Sequence, residues 1–249
     1  MKKQNIQDIT PYDKPDDKKG QVRTMFDRIA PYYDFLNHFL SLGIDIAWRK
    51  KAIQELVEFA PNKILDVATG TGDLAFEACK KLPNASITAI DLSPQMLEIA
   101  VKKQASQGRK EVQSINFLVG DSEHLPFADG HFDSVMAAFG VRNFESLESG
   151  LKEMHRVTRL GGQIVVLEFS KPKRFPFKQL YNTYFKYVLP TIGRLTSKDP
   201  KAYRYLYESV QAFPDYEKFT SVLEKIGYKE CKITPLTLGI CCIYTAVKA

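Results

Sequence analysis

Asp66, Gly70, Gly72 and Asp91 fall in a pattern suited to holding a nucleoside-bearing cofactor. The run Ile64-Leu65-Asp66-Val67-Ala68-Thr69-Gly70-Thr71-Gly72-Asp73-Leu74 reads as a short apolar strand entering a Gly-x-Gly turn that opens a helix. Nineteen residues after Gly72, Asp91 closes a second strand within Ile90-Asp91-Leu92, where a carboxylate accepts hydrogen bonds from ribose hydroxyls. Gly70-Thr71-Gly72-Asp73-Leu74-Ala75 also satisfies the Gly-x-Gly-x-x-Gly/Ala pattern of dinucleotide sites, so the glycines alone choose no cofactor. Charge does. A pyrophosphate needs a helix N-terminus free of competing anions, and here Asp66 and Asp73 flank the turn. S-adenosylmethionine carries a sulfonium and an ammonium group and no phosphate, so the same carboxylates attract it. A third acid follows: Gly120-Asp121-Ser122 ends the apolar run Ile115 to Val119 and offers a carboxylate and a hydroxyl to an adenine amino group.

These side chains need a scaffold that brings several strand ends together. After the first strand, Ser86 to Asp91, Ile115 to Asp121, Phe132 to Ala138 and Gly162 to Phe169 supply strands two to five. Helices fall between them at Pro94 to Gln107 and Leu147 to Thr158, the latter ended by a left-handed glycine cap in Arg159-Leu160-Gly161-Gly162. The alternation predicts an α/β fold with a doubly wound, mostly parallel sheet of seven strands. Lys229 to Thr234 and Ile240 to Val247 are expected as its antiparallel edge. From Val22 to Ala60, Phe26, Ile29, Tyr33, Leu36, Phe39 and Leu40 recur at three- and four-residue steps and form an N-terminal helical lid. The expected layout is a mobile arm over 1–20 and one domain over 21–249. Within the domain, 21–60 is the lid, 61–170 the cofactor-binding core, 171–214 a substrate-side helical insertion, and 215–249 the final helix and edge strands.

At 249 residues and 44% hydrophobic the chain can bury one substantial core. A net charge of +6 is a modest excess, and its basic residues are not gathered into a strip with stacking aromatics, so no nucleic-acid partner is expected. Cys79, Cys231, Cys241 and Cys242 have no C-x-x-C spacing, which points to neither disulfides nor metal and fits a reducing cytoplasm. No apolar stretch reaches the ~20 residues of a membrane span, so membrane contact, at the inner face, would be peripheral.

The chain resembles the class I S-adenosylmethionine-dependent methyltransferases, and more narrowly the quinone C-methyltransferases of menaquinone and ubiquinone synthesis. The likeness runs from about Val22 to the C-terminus. It rests on Phe26-Asp27-Arg28-Ile29-Ala30-Pro31-Tyr32-Tyr33-Asp34, Trp48-Arg49, the Asp66 to Asp73 loop, Ile90 to Leu97, Leu125-Pro126-Phe127, Phe139-Gly140-Val141-Arg142-Asn143 and Leu167 to Pro172. Tyr203-Arg204-Tyr205-Leu206 is similar to the family's late substrate-side region. The resemblance implies a Rossmann-like methyltransferase sheet and S-adenosylmethionine as cofactor. It places Thr71 with Gly70 and Gly72 against the methionine part, Asp91 at the ribose, and Asp121 with Ser122 at the adenine; Asp66 and Leu92 are expected to complete the cofactor-binding set. Tyr32, Tyr33, Phe139 and Gly140 are implied on the substrate side. Ala68 stands where many methyltransferases have the first of three alternating glycines, a departure that the quinone branch shares.

Methylating an aromatic carbon requires an electron-rich ring, and a quinol becomes one when a hydroxyl with pKa near ~10 ionises. A guanidinium close by would favour the phenolate by ~1 to 3 units, which assigns Arg142 as charge stabiliser and Asn143 as an orienting amide. The alternative for Arg142-Asn143 is a loop salt bridge and a turn. His38, His124, His131 and His155 lack a partner motif, and Asp34 on the lid is the preferred base. A polyprenyl tail would follow the stripe Phe177, Leu180, Tyr181, Tyr184, Phe185, Val188 and Leu189, a helix suited either to core packing or to a membrane interface. The expected reaction is demethylmenaquinol to menaquinol, with the ubiquinone-type benzoquinol as rival. A nicotinamide-dependent reductase is the competing class, and the oligomeric state is open.

Overall fold

The computed structural model describes residues 6–12, 17–41, 43–106, 115–183 and 200–249. Strands β1 (Lys63–Val67), β2 (Ser86–Asp91), β3 (Ile115–Val119), β4 (Phe132–Ala138) and β5 (Thr158–Phe169) are mutually parallel, in the order β3-β2-β1-β4-β5-β7-β6. β7 (Cys241–Lys248) runs antiparallel between β5 and β6 (Tyr228–Leu236). The chain winds outward from β1 to β3 on one side and from β4 to β5 on the other. A crevice therefore opens at the carboxyl ends of β1 and β4, where the winding reverses.

Helices cover both faces of the sheet. Those of the described residues are α1 (Lys18–Leu40), α2 (Ile44–Phe59), α3 (Asp73–Lys81), α4 (Pro94–Ser106), α5 (Leu147–Val157), α6 (Phe177–Thr183), α7 (Pro200–Ala212) and α8 (Glu217–Ile226). With both faces buried, the central strands need apolar residues throughout, which is why β1 and β5 read as continuous Ile/Leu/Val runs. Leu65, Val135, Ile164 and Val166 pack toward α5 and α8; Ile64, Met136, Val165 and Leu167 pack toward α2 and α3. The period of two places Asp66 on the Ile64 side.

Two expectations need correction. The Arg159 to Gly162 turn does not cap α5. Thr158 ends that helix in extended conformation, and the glycines form an irregularity within β5, where the pairing jumps from Phe132↔Thr158 to Ser134↔Gln163. The helix end is served from elsewhere: Lys248 Nζ donates to the carbonyls of His155, Arg156 and Thr158 at 2.8, 3.2 and 2.8 Å. The last two strands form the expected antiparallel edge, with β7 against β5 and β6 outermost. Finally, the described part of the expected arm is packed. Ile9 and Tyr12 are buried with Val22, Met25, Ala202 and Tyr205, and Lys18 Nζ donates to the Ile6 carbonyl at 2.7 Å. Three apolar side chains suffice for docking without any helical period. Of the stripe expected after Pro176, α6 carries Phe177 and a buried Tyr181, while Tyr184, Phe185, Val188 and Leu189 lie outside the described residues.

Candidate functional site

The loop after β1 folds onto the end of β2 through its own polar atoms. The Thr69 amide donates to the Ile90 carbonyl at 2.9 Å, and the Thr69 hydroxyl donates to Asp66 Oδ2 at 2.6 Å. The Gly70 amide donates to Asp91 Oδ2 and the Ser93 amide to Asp91 Oδ1, both at 2.8 Å. Two positions demand glycine. At Gly72, φ is +86° and a Cβ would stand 2.9 Å from Phe76 and 3.2 Å from Phe117. At Gly140, a Cβ would meet the Ala68 methyl at 2.6 Å, so the loops after β1 and β4 approach to backbone distance.

A cleft of about 680 Å³, open at its mouth, lies over these loops. Of the residues expected from sequence, Gly70, Asp91, Leu92, Asp121, Ser122, Tyr33, Phe139, Gly140 and Asn143 line it. Asp66, Thr71 and Gly72 do not line it. Sequence reasoning passed over Lys19, Val22, Phe26, Met96, Glu123, Phe144 and Glu145, which complete the wall. Val22 opens the lid as read, and α1 begins four residues before it, at Lys18, which brings Lys19 to the cleft.

The charges are arranged differently from the acidic rim the sequence suggests. Asp73 is spent: Lys103 Nζ lies 2.5 Å from its Oδ1 and Arg49 Nη2 3.6 Å from its Oδ2. Asp121 is paired as well. Burial pushes it up, but Lys19 Nζ at 2.7 Å and the Glu123 amide outweigh that and hold it below the usual carboxylate range. Asp66 and Asp91 remain. Burial, with the Asp91 charge beside it, pushes Asp66 up to about 7. Burial, opposed by the Ser93 and Gly70 amides, pushes Asp91 up to about 6. Asp66 Oδ1 accepts no side-chain or backbone hydrogen bond of normal geometry. Two desolvated carboxylates with no ion pair among the described residues are a ready receptor for a positively charged ligand, and each Asp91 oxygen keeps lone pairs for neighbouring hydroxyls.

The residues assigned to catalysis sit deeper than expected. Arg142 is buried: Nη1 donates to Glu168 Oε1 at 2.8 Å and to the Phe139 carbonyl, and the guanidinium lies 5.3 Å from the Phe169 ring centre. Glu168 also takes the Arg142 and Phe169 amides, at 3.3 and 2.9 Å. The salt-bridge alternative thus describes Arg142 Nη1, and Arg142 does not line the cleft. Asn143 Nδ2 donates to the Phe139 carbonyl at 3.3 Å, so both side chains brace a Phe139 backbone held at φ +57°. Glu168 was missed because its partner is twenty-six residues away in the chain. Asp34 accepts from the Thr71 hydroxyl and pairs with Lys103 Nζ at 2.9 Å. Asp27 accepts from the Ser93 hydroxyl at 2.6 Å. With Lys19 on Asp121, these contacts tie α1 across the loops after β1, β2 and β3. Tyr33 packs edge-on against Phe26, whereas Tyr32 is exposed and outside the cleft. Among the described residues no group of His, Cys, Asp and Glu could hold a metal ion.

Comparison with known proteins completes the description. A model of the ubiE/COQ5 methyltransferase family matches residues 14–248. The demethylmenaquinone methyltransferase of Bacteroides fragilis is 47% identical over 240 residues, covering 96% of this chain and 97% of its own. That of Porphyromonas gingivalis is 44% identical over 246 residues, covering 98% and 100%. A Geotalea daltonii protein named ubiquinone/menaquinone biosynthesis C-methyltransferase is 47% identical over 234 residues, covering 93% and 98%. Among solved structures, a SAM-dependent methyltransferase from Thermotoga maritima superposes with a TM-score of 0.65 at 19% identity over 92% of this chain and all of its own. Human N-acetylserotonin methyltransferase in complex with SAM gives 0.57 at 17% identity, over 93% of this chain and 56% of that one. These two likenesses concern the fold.

Proposed function

The chain belongs to the ubiE/COQ5 methyltransferase family, and on that premise we propose that it catalyses S-adenosylmethionine-dependent C-methylation of a polyprenyl quinol, demethylmenaquinol to menaquinol. The observation that carries this reading is the likeness, over nearly the full length of both chains, to relatives bearing that name. The reductase considered from the glycine pattern falls with family membership.

The residues present fit the cofactor. Asp66 and Asp91 offer uncompensated negative charge, Gly70 and Gly140 leave the floor free of side chains, and Asp121 with Ser122 stands at the far end. When bound, S-adenosylmethionine supplies an electrophilic methyl group. Asp91 would accept from ribose hydroxyls, and Asp66 would balance the ligand's positive charge through the Thr69 loop. α1 would exclude water by lying over the crevice with Phe26 and Tyr33 inward. Asp34, held by Lys103 and Thr71, is assigned to fastening that lid instead of to proton abstraction. Arg142 keeps positive charge beside the Phe139 to Asn143 turn, where it favours an ionised ring oxygen.

Membrane contact is proposed to be peripheral. Among the described residues no helix is long and apolar enough to cross a bilayer. Phe175, 80% exposed, and Leu238, 61% exposed, sit on the connections after β5 and between β6 and β7, both at the carboxyl end of the sheet. They offer a lipid tail an apolar exit on the side where the crevice opens.

Incubation of the purified chain with methyl-labelled S-adenosylmethionine and a mixture of demethylmenaquinol and the ubiquinone-type benzoquinol tests the assignment. Label is expected in menaquinol. Label confined to the benzoquinol product, or found in neither, would refute it.

A further inference from the structure

Three polar atoms are buried without hydrogen-bond partners on the turn after β4 and on α7: Arg142 Nε, Asn143 Oδ1 and the Tyr205 hydroxyl. Arg142 and Asn143 are successive residues of the turn Val141–Asn143, and α7, which carries Tyr205, packs against that turn. Tyr205 is 2% exposed and stands within electrostatic reach of both Arg142 and Glu168. Asn143 also lines the cleft, so the cluster borders the space in which a ligand would lie. Buried polar atoms are almost always paired within a folded chain, and several unpaired ones in one place mark a position that a ligand completes.

The hydrogen-bonding capacities of these atoms fix what that ligand is. Arg142 spends Nη1 on Glu168 and Phe139, which leaves Nε–H as a donor. The Asn143 amide is oriented by its donation to the Phe139 carbonyl, since the flipped amide would set oxygen against oxygen; Oδ1 is therefore a free acceptor. Burial pushes the Tyr205 hydroxyl well above the ordinary tyrosine range, so it stays protonated and donates. Two donors and one acceptor complement a phenolic hydroxyl, whose hydrogen goes to Asn143 and whose oxygen accepts from Arg142 and Tyr205. After ionisation the oxygen keeps both donors.

We propose that Arg142 Nε, Asn143 Oδ1 and the Tyr205 hydroxyl form a recess for one ring oxygen of the aromatic acceptor, with Tyr205 as a catalytic residue that donates to that oxygen. This rests on the quinol C-methyltransferase reading and names the contact that selects a hydroxylated ring.

The test compares wild type with Tyr205→Phe in the full chain, using a short-tailed demethylmenaquinol and, as a binding probe, its monomethyl ether. Removing an unpaired buried hydroxyl should leave the melting temperature and S-adenosylmethionine affinity at wild-type values. It should lower kcat/KM for the quinol about tenfold or more, mainly in kcat, and move the alkaline rise of kcat to higher pH. Wild type should bind the quinol about tenfold more tightly than the ether, which has no hydrogen for Asn143 Oδ1, and the variant, which keeps Asn143, should retain that preference. A Tyr205→Phe enzyme with wild-type kcat/KM and pH profile overturns the recess while leaving the methyltransferase reading intact. Equal binding of quinol and ether by wild type overturns it too, and that measurement needs no variant. A wild-type chain that binds the cofactor yet methylates no quinol overturns both together.

Discussion

A carboxylate buried beside another carboxylate is protonated more readily in the folded chain than in the unfolded one. Asp66, at about 7 against an ordinary value of 3.8, therefore binds a proton on folding between those limits. Its contribution to stability is present below about pH 4 and is lost as pH rises through 7. Asp66→Asn removes the charge and keeps an acceptor for the Thr69 hydroxyl. In the free chain the variant should melt several degrees above wild type near pH ~8 and by a smaller margin near pH ~5, with weaker S-adenosylmethionine binding throughout. A variant that melts lower than wild type at the alkaline end would show that the carboxylate is satisfied. The strand-end acids Asp66, Asp91 and Asp121 were legible in the sequence because each closes an apolar run. Which of them carries free charge was not. Lys19 reaches Asp121 from 102 residues away and Lys103 reaches Asp73 from 30, and no local pattern encodes such pairs.

Among the elements, α1 was legible as a lid from its three- and four-residue apolar steps, whereas its fastenings are polar and distant in sequence. Lys103 holds both Asp34 on α1 and Asp73 on α3. Lys103→Met should remove both ion pairs, each about a quarter exposed and worth roughly 0.5–1 kcal/mol. Faster amide exchange across α1 and about a fivefold faster release of cofactor are expected, with the central strands unchanged. Uniform loss of protection would instead make Lys103 a general stability residue. At the opposite end of the sheet, Lys248 caps α5 where a glycine motif was expected. Lys248→Ala should lower stability by about 1 kcal/mol, read as a melting temperature lower by roughly 2–4 °C, with no change in turnover. An unchanged melting temperature would mean that water satisfies those carbonyls equally well. The glycine turn misled because Gly161 does adopt φ +68°, but within a strand irregularity one residue group beyond the helix end.

For the whole molecule, strand count, parallel core and crevice position follow from alternating apolar runs and periodic helices. The insertion of β7 between β5 and β6 does not, since two antiparallel neighbours read alike whichever of them meets β5. The same holds for the Val141–Asn143 turn. Arg142 and Asn143 stood out by their motif, while the Glu168 carboxylate that anchors Arg142 lies in a strand read as core. What joins these scales is a cleft beside which Asp66 and Asp91 lie buried without an ion pair, a charge pattern suited to a cationic methyl donor. The most direct test is calorimetric titration of the full chain near pH ~6.5, between the values for Asp91 and Asp66, in two buffers of different ionisation enthalpy. S-adenosylmethionine should bind with release of protons as its positive charge drives both carboxyls to ionise, and NADH should give no binding heat. NADH binding in place of S-adenosylmethionine, or S-adenosylmethionine binding with no dependence on buffer, would contradict the account.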